Sequence, residues 1–280
     1  MKPFFSFVLV IACSFTSCNL KNNKQASSLG ATIECIETPD FGQLLDGALV
    51  KGAILMYDAK EDVFYSNDFP LCEQGFLPAS TFKIPNTLIA LETGIVSTEG
   101  IAFPWDGQKR NLEVWEQDMN LAQAFHNSCV PCYQEIARKI GSEQMNQWLA
   151  KFAYGTMEIT PANIDRFWLE GESRITPFQQ VEFLKRFYFK ELPLTKETFA
   201  TMKNIMVLER NDEWVLSGKT GWSIREGNNT GWFVGYLEKG EELFFMATCI
   251  QPDEAFNMDM FNIIRRQISM EAFRVMGIIE

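Results

Sequence analysis

Hydrophobic positions follow one pattern at the two ends of the chain and another in its middle. Near the start, residues 52–57 (GAILMY) and 63–66 (VFYS) are apolar runs on either side of the five-residue segment 58–62 (DAKED), the pattern of a β-hairpin. Near the end, residues 214–217, 231–237 (GWFVGYL) and 243–250 (LFFMATCI) predict three more strands, the last two joined at Lys239-Gly240. Between them, apolar residues recur every three or four positions, which predicts helices over 81–92, 142–152, 177–189 and 196–208. Leu121, Ala124 and Phe125 predict a helix over 120–128, and another over 260–276 closes the chain. Strands from both ends then build one antiparallel sheet flanked by helices. The helical middle becomes an inserted subdomain, giving an α/β (α+β) fold with the functional cleft between the two parts.

The first residues read differently. Lys2, a nine-residue stretch at 4–12 that is apolar except for Ser6, and small residues before Cys18 have the form of a secretory signal. A stretch of nine residues falls short of the roughly 20 that span a bilayer. A cysteine directly after the small residues resembles a lipoprotein signal, which implies lipidation at Cys18, with Cys13 the alternative site and residues 20–30 as a polar tether. The expected organisation is a signal over 1–17, a tether and N-terminal segment over 18–44, and one compact catalytic domain over 45–280. The expected location is the periplasm, anchored to the membrane through Cys18.

Composition narrows the function. With 46% hydrophobic and 22% charged residues, the 280-residue chain is an ordinary globular protein. A formal charge of -11 repels phosphate backbones, which argues against a nucleic-acid partner. His126 is the only histidine, so a His-rich zinc site cannot be built, and a Ser-His-Asp triad would have to use His126 itself. No metal is expected. The seven cysteines show no regular spacing and do not form a disulfide framework. Cys129-Val-Pro-Cys132 has the CxxC form, but it follows a predicted helix where redox sites follow a strand. Its plain reading is two buried thiols with a facultative disulfide in an oxidising compartment.

A hydrolase without a histidine base needs another, and Ser80-Thr-Phe-Lys83 offers one. Its hydroxyl and amine lie three positions apart, on one face of a predicted helix. The helix start supplies free N–H groups for developing oxyanion charge. Lysine serves as a base only when burial lowers its pKa from about 10.4. Ser128 offers a second hydroxyl, and Lys219-Thr220-Gly221 follows the predicted strand at 214–217 with a cation, a hydroxyl and room for a substrate against the backbone.

The ordered set of SxxK, a second serine and KTG is the signature of penicillin-recognising serine enzymes. Across residues 45–280 the chain resembles the class D, oxacillinase-type serine β-lactamases. The resemblance extends through residues 77–86 (LPASTFKIPN), 91–94 (LETG), 105–107 (WDG), 167–171 (FWLEG), 180–183 (QVEF), Gly231-Trp232 and 256–259 (FNMD). It implies hydrolysis of β-lactam antibiotics, and hence antibiotic resistance, through a Ser80 acyl-enzyme. It further implies an N-carboxylated Lys83 as general base, formed from carbon dioxide with no other cofactor, and Trp168 as donor to that carbamate. Ser128 becomes the proton relay, and the N–H groups of Ser80 and Trp222 become the oxyanion hole. Lys219, Thr220, Gly221, Trp222 and Arg265 bind substrate, with Arg266 adjacent to the expected arginine. Where the family has Tyr-Gly-Asn, this chain has Tyr154-Gly155-Thr156. The alternative is a penicillin receptor of the same fold that acylates without turnover. A cell-wall transpeptidase or carboxypeptidase fits less well.

Overall fold

The computed structural model describes residues 33–280. The expected signal, Cys18 and the tether over 20–30 lie outside the described residues.

In chain order the elements are β1 (Glu34–Glu37), α1 (Pro39–Gly47), β2 (Val50–Asp58), β3 (Val63–Ser66) and α2 (Phe69–Cys72). The helical middle contains α3 (Lys83–Glu92), α4 (Leu121–His126), α5 (Val130–Ile140), α6 (Ser142–Phe152), α7 (Pro177–Tyr188) and α8 (Lys196–Ile205). The chain returns to the sheet through β4 (Val207–Arg210), β5 (Val215–Arg225), β6 (Asn228–Lys239) and β7 (Glu242–Pro252), and ends in α9 (Phe261–Val275). Among the described residues these strands form one seven-stranded sheet in the order β1-β3-β2-β7-β6-β5-β4.

Strands from both ends do meet, with β2 paired antiparallel to β7 from Val50–Pro252 to Asp58–Phe244. The sheet is mixed rather than wholly antiparallel, because β1 pairs with β3 in parallel. Residues 34–44, which precede the domain in the sequence reading, form β1 and most of α1, and Phe41 of α1 is fully buried.

Both sheet faces are covered. Ile54 and Met56 of β2 pack with α1 and α9 through Phe41, Leu45, Ile268 and Phe273. The alternate residues Ala53, Leu55 and Tyr57 join the core of the helical middle. A strand buried on both faces reads as a continuous apolar run, which is why β2 shows no clean alternation.

Local chemistry sets several boundaries. Asn120 and Gln123 close a capping box on α4, and Thr176 and Gln179 close another on α7. Glu226 and Gly227, at φ 51° and 82°, turn β5 into β6, and two positive φ angles are what a two-residue hairpin needs. The helix predicted over 196–208 stops at Ile205, because its last apolar residues begin β4. The helix predicted over 120–128 ends at His126, and Cys129 caps a new helix, α5.

Candidate active site

Ser80 lies in a 3-10 turn, Ala79–Phe82, and Lys83 begins α3. The sequence predicted one helix here. The tighter turn brings positions i and i+3 nearly into register, and Lys83 Nζ donates to Ser80 Oγ at 3.0 Å. The turn is held from three sides. Trp232 Nε1 donates to the Leu77 carbonyl at 2.9 Å, and Ala79 N–H donates to the Trp168 carbonyl at 2.9 Å. Gln180 Nε2 donates to Thr81 Oγ1 at 2.9 Å. Ala79 sits at φ 50°, a left-handed conformation costly for a residue with a Cβ, which persists only where the surroundings enforce it.

Lys83 is 1% exposed. Burial drives its pKa well below the ordinary lysine value, and the nearby charge of Lys219 adds to the effect. The ring of Tyr133 lies 5.0 Å from its Nζ. Trp168 is fully buried and stacks on Phe82 with centroids 5.3 Å apart. Among the described residues its indole N–H has no acceptor. A buried donor left unpaired costs roughly 1–3 kcal/mol, so an acceptor brought to it would be stabilising.

Ser128 occupies the break between α4 and α5 at φ 51°. Lys219 Nζ donates to its Oγ, and also to the Thr220 carbonyl at 3.1 Å. Burial, with Arg265 second, pushes the Lys219 pKa down to about 7.

Lys219-Thr220-Gly221 lies within β5, not after it as expected. The reason for Gly221 also changes. A Cβ there would stand 3.1 Å from both the Pro78 carbonyl oxygen and Thr81 Cγ2, so the missing side chain makes room for the turn that carries Ser80.

Thr220, Trp222 and Ile224, at alternate positions of β5, line a cavity of about 290 Å³ together with Ser80, Ser128 and Arg265. Trp115 and Val130 complete its wall. Trp115 donates from Nε1 to the Asn127 carbonyl at 2.9 Å, one residue before Ser128. The sequence reading missed Trp115, Val130, Ile224 and Tyr133, because no local pattern distinguishes an apolar wall residue from core. A second cavity of about 340 Å³ opens beside Phe76, Arg174 and Arg225, where no serine–lysine pair stands.

Arg265 faces the site and Arg266 does not. The Arg265 guanidinium is buried and donates from Nη1 to the Gly221 carbonyl at 2.6 Å, while Arg266 pairs with Glu209 on β4. His126 is exposed at the end of α4. In place of the family asparagine, Thr156 exchanges backbone hydrogen bonds with Arg174 at 2.8 Å in both directions. Cys129 and Cys132 form a disulfide. As expected, a helix (α4) and not a strand precedes the pair; Cys129 caps the following helix, α5, and both residues are buried. No group of three or more His, Cys, Asp or Glu able to hold a metal ion occurs among the described residues.

A nucleophile bonded to a buried amine of lowered pKa, and a second hydroxyl–lysine pair, with both hydroxyls bordering one cavity, suit acyl transfer. Comparison with known proteins agrees. The penicillin binding protein transpeptidase domain model matches residues 51–269. Beta-lactamase OXA-10 of Pseudomonas aeruginosa is 36% identical over an alignment of 286 positions that covers 100% of this chain and 99% of the relative. The crystal structure of the class D β-lactamase from Sebaldella termitidis matches with a TM-score of 0.83 at 35% identity, over 88% of this chain and 99% of that one. The C-terminal domain of the Bacillus licheniformis BlaR penicillin receptor matches with a TM-score of 0.81 at 28% identity, over 90% of this chain and 100% of that one. Fold, chain-length similarity and the serine–lysine geometry converge, and the chain belongs to the class D serine β-lactamases, enzymes that hydrolyse β-lactams.

Proposed function

We propose that this β-lactamase works through a Ser80 acyl-enzyme with an N-carboxylated Lys83 as its base. The observation that carries the reading is the pairing of two features. A buried amine, 3.0 Å from Ser80 Oγ, has its pKa driven well down by burial, and beside its turn the buried Trp168 N–H lacks an acceptor among the described residues. A neutral amine adds to carbon dioxide with loss of one proton, and the carboxylate formed accepts the hydrogen bond that Trp168 offers. Once on Lys83, this group supplies an anionic general base for acylation and deacylation.

The other roles follow from position. Ser80 Oγ attacks the lactam carbonyl, and the backbone N–H groups of Ser80 and Trp222 stabilise the oxyanion. Ser128 passes a proton to the lactam nitrogen as the ring opens, and Lys219 replenishes it; with a pKa near 7, Lys219 both gives and takes a proton at neutral pH. Lys219, Thr220 and Arg265 supply positive charge and a hydroxyl to the substrate carboxylate. Gly221 lets the nucleophile's turn close on β5, beside Trp222 at the cavity wall. Export to the periplasm with a lipid at Cys18 belongs to the same proposal. The β-lactam is the only partner invoked.

A second reading, a receptor that acylates without turnover, draws support from the likeness to the BlaR domain. Intact-mass measurement after brief and long exposure to a penicillin separates the two. Hydrolysis predicts a transient adduct and many equivalents of product, whereas the receptor predicts one stable adduct and one equivalent consumed.

A further inference from the structure

The disulfide Cys129–Cys132 takes no part in the chemistry above, yet it begins one residue after Ser128. Its Cα atoms are 5.4 Å apart, and it joins the residue that caps α5 to the first turn of that helix. Cys129 is 1% and Cys132 6% exposed. The Cys129 sulfur also accepts from Cys132 N–H at 3.2 Å.

Ser128 itself is in the left-handed region, which a residue with a side chain keeps only when its neighbours impose it. On one side, Trp115 Nε1 holds the Asn127 carbonyl at 2.9 Å. On the other, Cys129 N–H donates to the Ala124 carbonyl at 2.9 Å, and the crosslink ties the same residue to α5. Two unbonded thiols need more room than a bonded pair, because nonbonded sulfur atoms cannot approach to bonding distance. At a close-packed position that room comes from displacing Cys129 or the start of α5. Either movement reaches Ser128 through one peptide unit.

We propose that the Cys129–Cys132 disulfide is a positioning element for Ser128, so that the oxidation state of the pair sets the rate of acylation. The inference rests on the reading of Ser128 as the proton carrier to the lactam nitrogen. Opening the crosslink with a dithiol breaks the S–S bond and forms two S–H bonds, and the dithiol is oxidised to its own disulfide. Ser128 then loses its fixed geometry towards Lys219 and the substrate. Acylation needs a proton at the leaving nitrogen. Deacylation expels Ser80 Oγ and does not, so the two steps respond differently.

The test compares full-length protein purified with dithiothreitol against the same sample reoxidised with oxidised glutathione, with peptide mapping to establish the state of the pair. Pre-steady-state mixing with a chromogenic cephalosporin measures the two steps. Reduction is expected to slow acylation about tenfold, reversibly, with deacylation changed less than twofold. Cys129→Ala/Cys132→Val has no crosslink to open, and its acylation rate is expected not to respond to the reductant. Equal acylation by reduced and oxidised enzyme, a parallel fall in both steps, or an undiminished response in the double variant would each overturn the proposal. Ser128→Ala separates the two layers. If it leaves acylation unchanged, the role of Ser128 falls and the switch with it; if it slows acylation while reduction does not, only the switch falls.

Discussion

Lys219 on β5 donates a hydrogen bond to Ser128 between α4 and α5, joining residues 91 positions apart. This contact couples the sheet to the helical subdomain at the point where both border the cavity. It also places a second buried amine near Lys83, and the charge of Lys219 disfavours protonation of Lys83. Two buried lysines, each hydrogen-bonded to a serine hydroxyl, thus stand at a cavity whose lining contains no histidine.

Trp168→Phe keeps an aromatic surface against Phe82 and removes only the unpaired indole N–H. Deacylation is expected to fall about 100-fold, the scale of a weakened general base, with acylation falling less. Transient kinetics with oxacillin would resolve the steps, and equal losses would contradict the assigned partner.

Because carboxylation needs the neutral amine, acid should reverse it. In degassed buffer near about pH 6, added bicarbonate is expected to raise the steady-state rate several-fold, and at about pH 8 the gain should shrink, since a lowered amine pKa leaves more free base there. Indifference to bicarbonate at both values would count against the carbamate.

Lys219 has a pKa near 7 in the folded enzyme against 10.5 unfolded. Between these values the unfolded chain binds the proton that the folded one lacks, so stability rises with pH across this window and the penalty is largest at and below about pH 7. Lys219→Met removes the titrating group. Its Tm relative to the parent is therefore expected to be several degrees more favourable at about pH 7 than at about pH 10, by differential scanning calorimetry. The same difference at both values would show that burial does not depress this lysine.

Gly221→Ala sets a methyl group against the Pro78 carbonyl and Thr81. Overpacking of this kind costs about 1–3 kcal/mol, at roughly 2–4 °C of Tm per kcal/mol for a domain of this size. The variant is expected to melt several degrees lower and to acylate more slowly. Unchanged acylation would mean that the turn bearing Ser80 does not depend on its contact with β5.

Short-range signals made much of this legible. The apolar runs at 52–57, 231–237 and 243–250 all became central strands, and the period of the middle segments became helices. Boundaries failed where two elements compete for the same residues. Val207 and Leu208 continue an apolar helical period, yet pairing with β5 makes them strand. Residues 127–129 continue a polar-and-apolar rhythm, yet the Cys129 cap starts a new helix there.

What the chain alone determined was the inventory: Ser80 and Lys83 three positions apart, a second serine, a Lys-Thr-Gly triplet, one histidine and the periodicities that make sheet and helix. These depend on composition and nearby spacing, which the order of residues contains directly. Tertiary structure decided the electrostatics. The Lys83 pKa falls because remote residues such as Tyr133 and Lys219 surround it, and desolvation depends on the whole surrounding volume. It also decided that Arg265 and not Arg266 faces the site, that Gly221 accommodates a protein turn, and that Cys129 and Cys132 are bonded. Each of these follows from which distant surfaces come into contact, and no local pattern encodes that.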